Sequence, residues 1–221
     1  MSEYFCNTRV MTPPVTTGWI ELTLNDEAYD RIETYIKKSQ ERPHSLKGGL
    51  AGNLSYSHFL EDEDDWFFNN VLQHCIKQYI ESFPPLQEVT YHLQRNPTDN
   101  IGPELFDLTT LWVNYQQKYE FNPLHNHAGI FSFVLWNNIP YKFVDEMSQP
   151  FLAGCGRPEP AAFKFTYPGM LGEFQSYHYC HEDDMDKKLL FFPSRLNHSV
   201  NPFYSTDEVR ISVSGNLDFK K

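Results

Sequence analysis

The sequence predicts a mainly β protein, a jelly-roll sandwich or barrel with N-terminal helices packed outside it. Three observations lead there. From residue 88 onward short apolar-rich segments alternate with turns, at about 88–94, 109–119, 129–136, 161–167, 174–180, 188–192 and 209–217. That spacing belongs to a sandwich or barrel. Helical periodicity is confined to the N-terminal part, and two amphipathic helices bury their apolar faces most simply against the outside of such a barrel. Aromatic residues make up 16% of the chain, with 18 Phe, 13 Tyr and 4 Trp, which suits a β-rich core or an aromatic-lined pocket.

In chain order, Gly18 to Leu24 alternates like a strand. Asn25, followed by Asp26 and Glu27, caps a helix over 28–39 whose apolar face carries Tyr29, Ile32, Tyr35 and Ile36. Gly48, Gly49 and Gly52 mark a flexible stretch. A second helix runs from Asp64 to about Phe83, with Trp66, Val71, Cys75, Tyr79 and Ile80 as its stripe, and Pro84-Pro85 stops it. The acidic run Glu61 to Asp65 reads as a solvated cap at that helix's N-terminus. A chain of 221 residues allows one large domain or two small ones. Because the helices need the strands to cover them, we expect one domain over 1–221, with 1–87 as helical support and 88–219 as the jelly-roll core.

Eighteen Lys and Arg against 29 Asp and Glu leave a formal net charge of −11. That disfavours nucleic acid and anionic membrane as partners and suits a basic one. The N-terminus lacks a basic region followed by an apolar stretch, and the longest near-apolar run, 130–136, is too short to span a bilayer. Cys6, Cys75, Cys155 and Cys180 form no CxxC pair. We therefore expect a soluble, cytoplasmic protein with reduced thiols.

Nine histidines are present, and a single histidine is more often structural than functional. His125-Asn126-His127 differs, because side chains at i and i+2 of an extended segment point the same way and can share a metal ion. His198 follows the strand ending Phe191-Phe192-Pro193-Ser194. Twelve residues later Arg210 and Ser212 form another i, i+2 pair, a planar fork and a hydroxyl suited to a carboxylate. A barrel can bring all five to one mouth. His178, Cys180, His181, Glu182, Asp183 and Asp184 lack zinc-ligand spacing and read as an acidic loop.

At these residues the sequence resembles the Fe(II)- and 2-oxoglutarate-dependent oxygenases, most nearly the prolyl-hydroxylase-like branch and its phage and marine bacterial members. The matching text is Trp112 to Tyr119, Asn122 to Gly129, Ser132 to Trp136, Leu190 to Ser194, His198 and Arg210 to Asn216. The resemblance implies a double-stranded β-helix, the jelly roll that cupins share. It implies iron held by His125 and His198, with His127 where the family has Asp or Glu; His127 either ligates or contacts cosubstrate or water. It implies 2-oxoglutarate held through its distal carboxylate by Arg210 and Ser212, with Tyr115 donating as well. With O2 as oxidant, the implied reaction hydroxylates an unactivated C–H bond and releases succinate and CO2.

Two other readings stand beside it. A cupin-type metal protein shares the barrel and the HxH pair, but it usually adds a Glu four or five residues on, where this chain has Phe131 and Ser132. A non-catalytic jelly-roll binding protein would leave the histidines as ordinary polar residues. The expected substrate is a side chain, such as proline, of a peptide or protein with basic character; a free amino acid or small metabolite is the alternative. Residues 142–160, rich in Pro and Gly, form a long connection expected to close over substrate.

Overall fold

The computed structural model describes residues 4–11, 18–41, 45, 51–83, 101–169, 171–180 and 185–220. Its strands are β1 (Phe5–Met11), β2 (Trp19–Leu24), β3 (Tyr56–Phe59), β4 (Phe106–Gln116), β5 (Asn122–His125), β6 (Phe131–Asn138), β7 (Phe163–Pro168), β8 (Phe174–Tyr179), β9 (Lys188–Pro193), β10 (Asn197–Val200) and β11 (Arg210–Phe219). The helices are α1 (Asp26–Glu41), α2 (Gln73–Ser82) and the short α3 (Phe143–Met147).

Seven strands form one antiparallel sheet in the order β1-β2-β9-β6-β11-β4-β3, and four form a second in the order β5-β10-β7-β8. From β4 on, the chain passes from one sheet to the other at every step except β7 to β8. This winding is a double-stranded β-helix, and β1, β2 and β3 extend its larger sheet.

Alternation along each strand separates two apolar layers. On the outer face of the large sheet, Leu111, Val113, Phe131, Phe133, Leu135, Phe191 and Val213 meet Ile32 and Ile36 of α1 and Ile76 and Tyr79 of α2. Between the sheets lie Trp19, Trp136, Phe163, Phe165, Leu190 and Phe192. Burying each such side chain contributes roughly 1.5–3 kcal/mol, so both layers matter to stability. Gly129 has φ +84°, and a Cβ there would lie 2.6 Å from the Leu217 carbonyl oxygen. Glycine therefore allows the chain to turn from His127 into β6.

The helix signals hold locally. Asn25 Oδ1 accepts the Ala28 N–H at 2.9 Å, an N-cap bond. In the acidic run, Asp62 does the capping, accepting the N–H groups of Phe67 and Phe68 at 2.8 Å each. The second helical segment departs from the expected 64–83 in detail. A 3₁₀ turn occupies Glu63–Asp65, and a π-helical turn, Phe68–Leu72, leads into α2.

The strand expected over 109–119 stops at Gln116, because Tyr119 takes φ 70° in a turn closed by Glu120 N–H to Gln117 C=O at 3.1 Å. The strand expected at 88–94, and Pro84-Pro85, lie outside the described residues. Short β1, β3, β5 and β10 complete the sheets. Cys75 and Cys155 are free thiols. Among the described residues, no helix is long and apolar enough to cross a membrane.

Candidate active site

Backbone pairing assembles three histidines. β5 and β10 are antiparallel neighbours with His125 directly opposite His198. His127 lies just past β5, where its N–H donates to the Ser194 carbonyl at 2.8 Å. The ring centroids are 4.3 Å apart for His125 and His198, 4.8 Å for His127 and His198, and 5.2 Å for His125 and His127. One ligating nitrogen from each lies within 4.8 Å of the others.

The outward nitrogens set the tautomers. His125 Nδ1 lies 2.7 Å from the Pro123 carbonyl oxygen and His198 Nδ1 lies 2.9 Å from that of Leu196. A carbonyl only accepts, so each Nδ1 carries the proton and each Nε2 presents a lone pair. His127 Nδ1 donates in the same way to Asn216 Oδ1, at 2.8 Å. The Nε2 atoms of His125 and His127 then face one another at 3.3 Å, lone pair to lone pair, an arrangement that a cation between them would relieve.

Burial keeps the rings neutral. Desolvation lowers all three from their ordinary value, bringing His127 down to about 4 and His198 well below that ordinary value. Three neutral imidazoles in convergence suit a divalent first-row metal ion. A fixed network backs His127. Ser132 Oγ donates to Asn216 Oδ1 at 2.8 Å and lies 2.9 Å from Ser194 Oγ, with both serines fully buried.

The histidines border a cavity of about 270 Å³ that Arg210 and Ser212 also line. Arg210, only 3% exposed, donates from Nη1 to Tyr141 Oη at 2.7 Å and to the Ala161 carbonyl at 3.0 Å, and from Nη2 to Gln116 Oε1. These bonds fix the plane of the guanidinium in the cavity wall. Burial raises the Tyr141 phenol to about 12, so it stays protonated.

Five of the six residues singled out from the sequence thus meet at one cavity; Tyr115 does not. β4 presents Trp112, Asn114 and Gln116 to the cavity, whereas Tyr115 points to the opposite face. There it packs against His58 and accepts a hydrogen bond from Gln40 Nε2 at 3.1 Å. None of residues 142–160 lines the cavity either. Instead Glu146 of α3, fully buried, accepts the N–H groups of Tyr204 and Ser205 at 2.8 Å each. The segment expected as a lid braces the loop behind Arg210. Residues 181–184 of the acidic loop lie outside the described residues, and His178 faces Glu159 at 3.6 Å.

Sequence reading missed Asn216, Gln116 and Tyr141. Asn216 was within reach of the period-two rule, since 210, 212, 214 and 216 share one face of β11. Tyr141 lies past the end of β6, where no pattern points to it.

Residues 110–216 match the family model described as "Putative 2OG-Fe(II) oxygenase". Over those residues the chain matches the 2OG-Fe(II) oxygenases. It is an oxygenase enzyme, and the family's Fe(II), 2-oxoglutarate and O2 are its cofactors. No curated protein matches the chain. Among crystal structures, a prolyl 4-hydroxylase from Pseudomonas putida matches at 13% identity, over 93% of this chain and 95% of that one, with a TM-score of 0.51. A prolyl hydroxylase from Trichoplax adhaerens, in complex with a hypoxia inducible factor oxygen degradation domain peptide fragment, matches at 14% identity over 92% and 84%, with a TM-score of 0.48. A 2OG-Fe(II) oxygenase family oxidoreductase from Burkholderia pseudomallei matches at 11% identity over 96% and 84%, with a TM-score of 0.46. The Pseudomonas match shows that this oxygenase has the prolyl-hydroxylase fold.

Proposed function

We propose that this oxygenase hydroxylates a side chain, such as proline, of a peptide or protein, with 1–221 acting as one catalytic domain. In this reading His125, His127 and His198 hold the iron, and Arg210 with Ser212 holds the distal carboxylate of 2-oxoglutarate. The observation that carries it is the convergence of three lone-pair-bearing imidazoles in the cavity that Arg210 lines. Bound together, Fe(II), 2-oxoglutarate and O2 supply the oxidising chemistry that hydroxylates a C–H bond and releases succinate and CO2.

The protein's own residues orient and shield. Pro123 and Leu196 carbonyls and Asn216 hold the imidazole protons outward, so the lone pairs stay inward. Tyr141 and Gln116 hold Arg210 as a fixed cation, whose fork matches a carboxylate. Trp136, Phe163 and Phe192 supply apolar walls that keep water from the reacting centre. His127 stands where the family has a carboxylate. The three protein ligands are then all neutral, and the cosubstrate carboxylate that Arg210 does not hold would offset the charge of the ion.

Two features support a side chain as substrate. The fold match is to a prolyl 4-hydroxylase. The cavity, at about 270 Å³, lies at the small end for ligand pockets, so beside the cosubstrate it suits a side chain better than a whole metabolite.

An anaerobic titration of metal-free protein with Fe(II) and 2-oxoglutarate tests the cofactor assignment through the visible charge-transfer band of the chelate. The band is expected only with both additions and should disappear in His198→Ala and His127→Ala. Its absence from the folded wild-type protein would overturn the reading, and its persistence in His127→Ala would remove that residue from the ligand set. Peptide libraries screened by the mass gain of one oxygen then test the substrate class. Turnover of free amino acids with no peptide product would reverse it.

A further inference from the structure

Resting on that reading, we propose that Glu120 is a positioning residue. It ties segment 51–55, which walls the cavity, to Arg210, so that cosubstrate held at Arg210 orders a wall that the substrate meets. Ala51, Gly52 and Leu54 line the cavity, and Leu54 is buried. Glu120 itself does not line the cavity, so its part is to hold other residues in place.

The wall is laid against the chain that joins β4 to β5 at three successive points. A Cβ on Gly52 would fall 1.9 Å from Asn122 Oδ1, so the two segments touch there and only glycine permits the approach. Asn53 N–H donates to the Phe121 carbonyl at 2.9 Å. Ser55 N–H donates to Glu120 Oε1 at 2.9 Å, and the Ser55 hydroxyl donates to the same oxygen. Hydrogen bonds to a carboxylate are roughly twice as strong as neutral ones, so the Glu120 contact is the firmest of the three.

The same residue reaches Arg210 through Gln116, which is 4% exposed. Arg210 Nη2 donates to Gln116 Oε1, which leaves the amide nitrogen to donate to the Glu120 carbonyl at 2.6 Å. The second carboxylate oxygen of Glu120 accepts the Gln117 N–H at 2.9 Å and fastens the turn from inside. Tyr119 sits in that turn at φ 70°, a conformation that persists only where the surroundings over-determine it. Arg210, Gln116, Glu120 and Ser55 thus form one unbroken run of hydrogen bonds from the carboxylate-binding fork to the wall. In such a network, fixing one end lowers the entropy lost in ordering the other. A carboxylate that steadies Arg210 therefore steadies Gln116, the turn and residues 51–55.

The test follows amide hydrogen exchange by NMR in the whole chain loaded with Zn(II), a diamagnetic stand-in for Fe(II), with and without 2-oxoglutarate. Asn53 is the reporter, because its bond to the Phe121 carbonyl does not involve the Glu120 side chain. Cosubstrate should slow its exchange about fivefold or more relative to amides of β8, at the far edge of the smaller sheet. In Glu120→Ala the slowing should vanish at saturating cosubstrate, and Glu120→Gln, which keeps an acceptor for Ser55, should restore part of it. Should the alanine variant not fold, Ser55→Ala removes a single hydroxyl and should show a reduced slowing. Calorimetric titration of 2-oxoglutarate runs alongside. No binding there would sink the cofactor reading and this inference with it. Binding with Asn53 exchange unchanged in the wild type, or full slowing in Glu120→Ala or Ser55→Ala, would overturn the coupling alone.

Discussion

His127 and Asn216 meet through a 2.8 Å hydrogen bond from imidazole Nδ1 to carboxamide Oδ1, although they lie 89 positions apart. An acceptor on that side fixes the proton outward and the lone pair inward. His127 thus comes with its own orienting residue, which in turn is held by buried Ser132.

Replacing that acceptor should be felt at the metal before it is felt in the fold. Asn216→Leu is expected to weaken Fe(II) binding about 10–100-fold, the usual effect of losing an orienting partner. Asn216→Asp keeps an acceptor and should recover most of the affinity. Anaerobic Fe(II) titration alongside a thermal melt checks this; equal affinity in the Leu variant would remove Asn216 from the site's support.

In the proposed site, changing Arg210 should separate cosubstrate binding from metal binding. Charge-assisted hydrogen bonds contribute about 1.5–3 kcal/mol each, so Arg210→Ala should weaken 2-oxoglutarate by about two orders of magnitude or more. Fe(II) affinity should change little. The same variant removes a donor from Gln116, Tyr141 and the Ala161 carbonyl, so a lower Tm is also expected. Calorimetric titration of 2-oxoglutarate against wild type and variant decides it.

Burial of the three imidazoles makes the metal-free protein sensitive to acid. Unfolded, each histidine takes up its proton near 6.5, whereas His127 in the folded protein holds off to about 4. Within that window the unfolded chain binds more protons, so stability is complete above about 6.5 and falls as the pH drops toward 4. Urea midpoints of metal-free protein at about pH 7.5, 6 and 5 should decline in that order. His127→Asn should flatten the decline, and an equally steep slope in that variant would place its origin elsewhere.

Glu146 should matter to stability more than its distance from the histidines suggests. Its buried carboxylate receives two backbone N–H groups and the Ser205 hydroxyl. Glu146→Ala leaves those donors unpaired, at about 1–3 kcal/mol each before relaxation. A drop of several degrees in Tm is expected, with 2-oxoglutarate affinity falling as the loop carrying Phe203, behind Arg210, loosens. An unchanged melt would show that water replaces the carboxylate without penalty.

Much of this architecture was legible because its signals are local. The alternation within 129–136 and 209–217 names the two central strands, and Asn25 before two acids marks the start of α1. The HxH pair, the distant histidine and Arg210-x-Ser212 needed the jelly roll to join them, and it does. Tyr115 was misplaced although strand parity held the answer: Gln116 pairs with Arg210, so Trp112, Asn114 and Gln116 face the cavity while Leu111, Val113 and Tyr115 face the helices. β5 and β10, at four residues each, are too short for periodicity to register. The bracing role of 142–160 depends on Glu146 reaching residues 204 and 205, a tertiary contact that no local pattern encodes.

The register that sets His125 opposite His198 has one more consequence. β5 is an edge strand of the smaller sheet, four residues long, and its Leu124 is 56% exposed. An ion gripped by both histidines would rivet this edge to β10. Without the ion, the edge is held by a short ladder, and its brevity and Pro123 are what discourage pairing with other chains. Iron supply would then govern how long the polypeptide survives proteolysis, as well as whether it turns over.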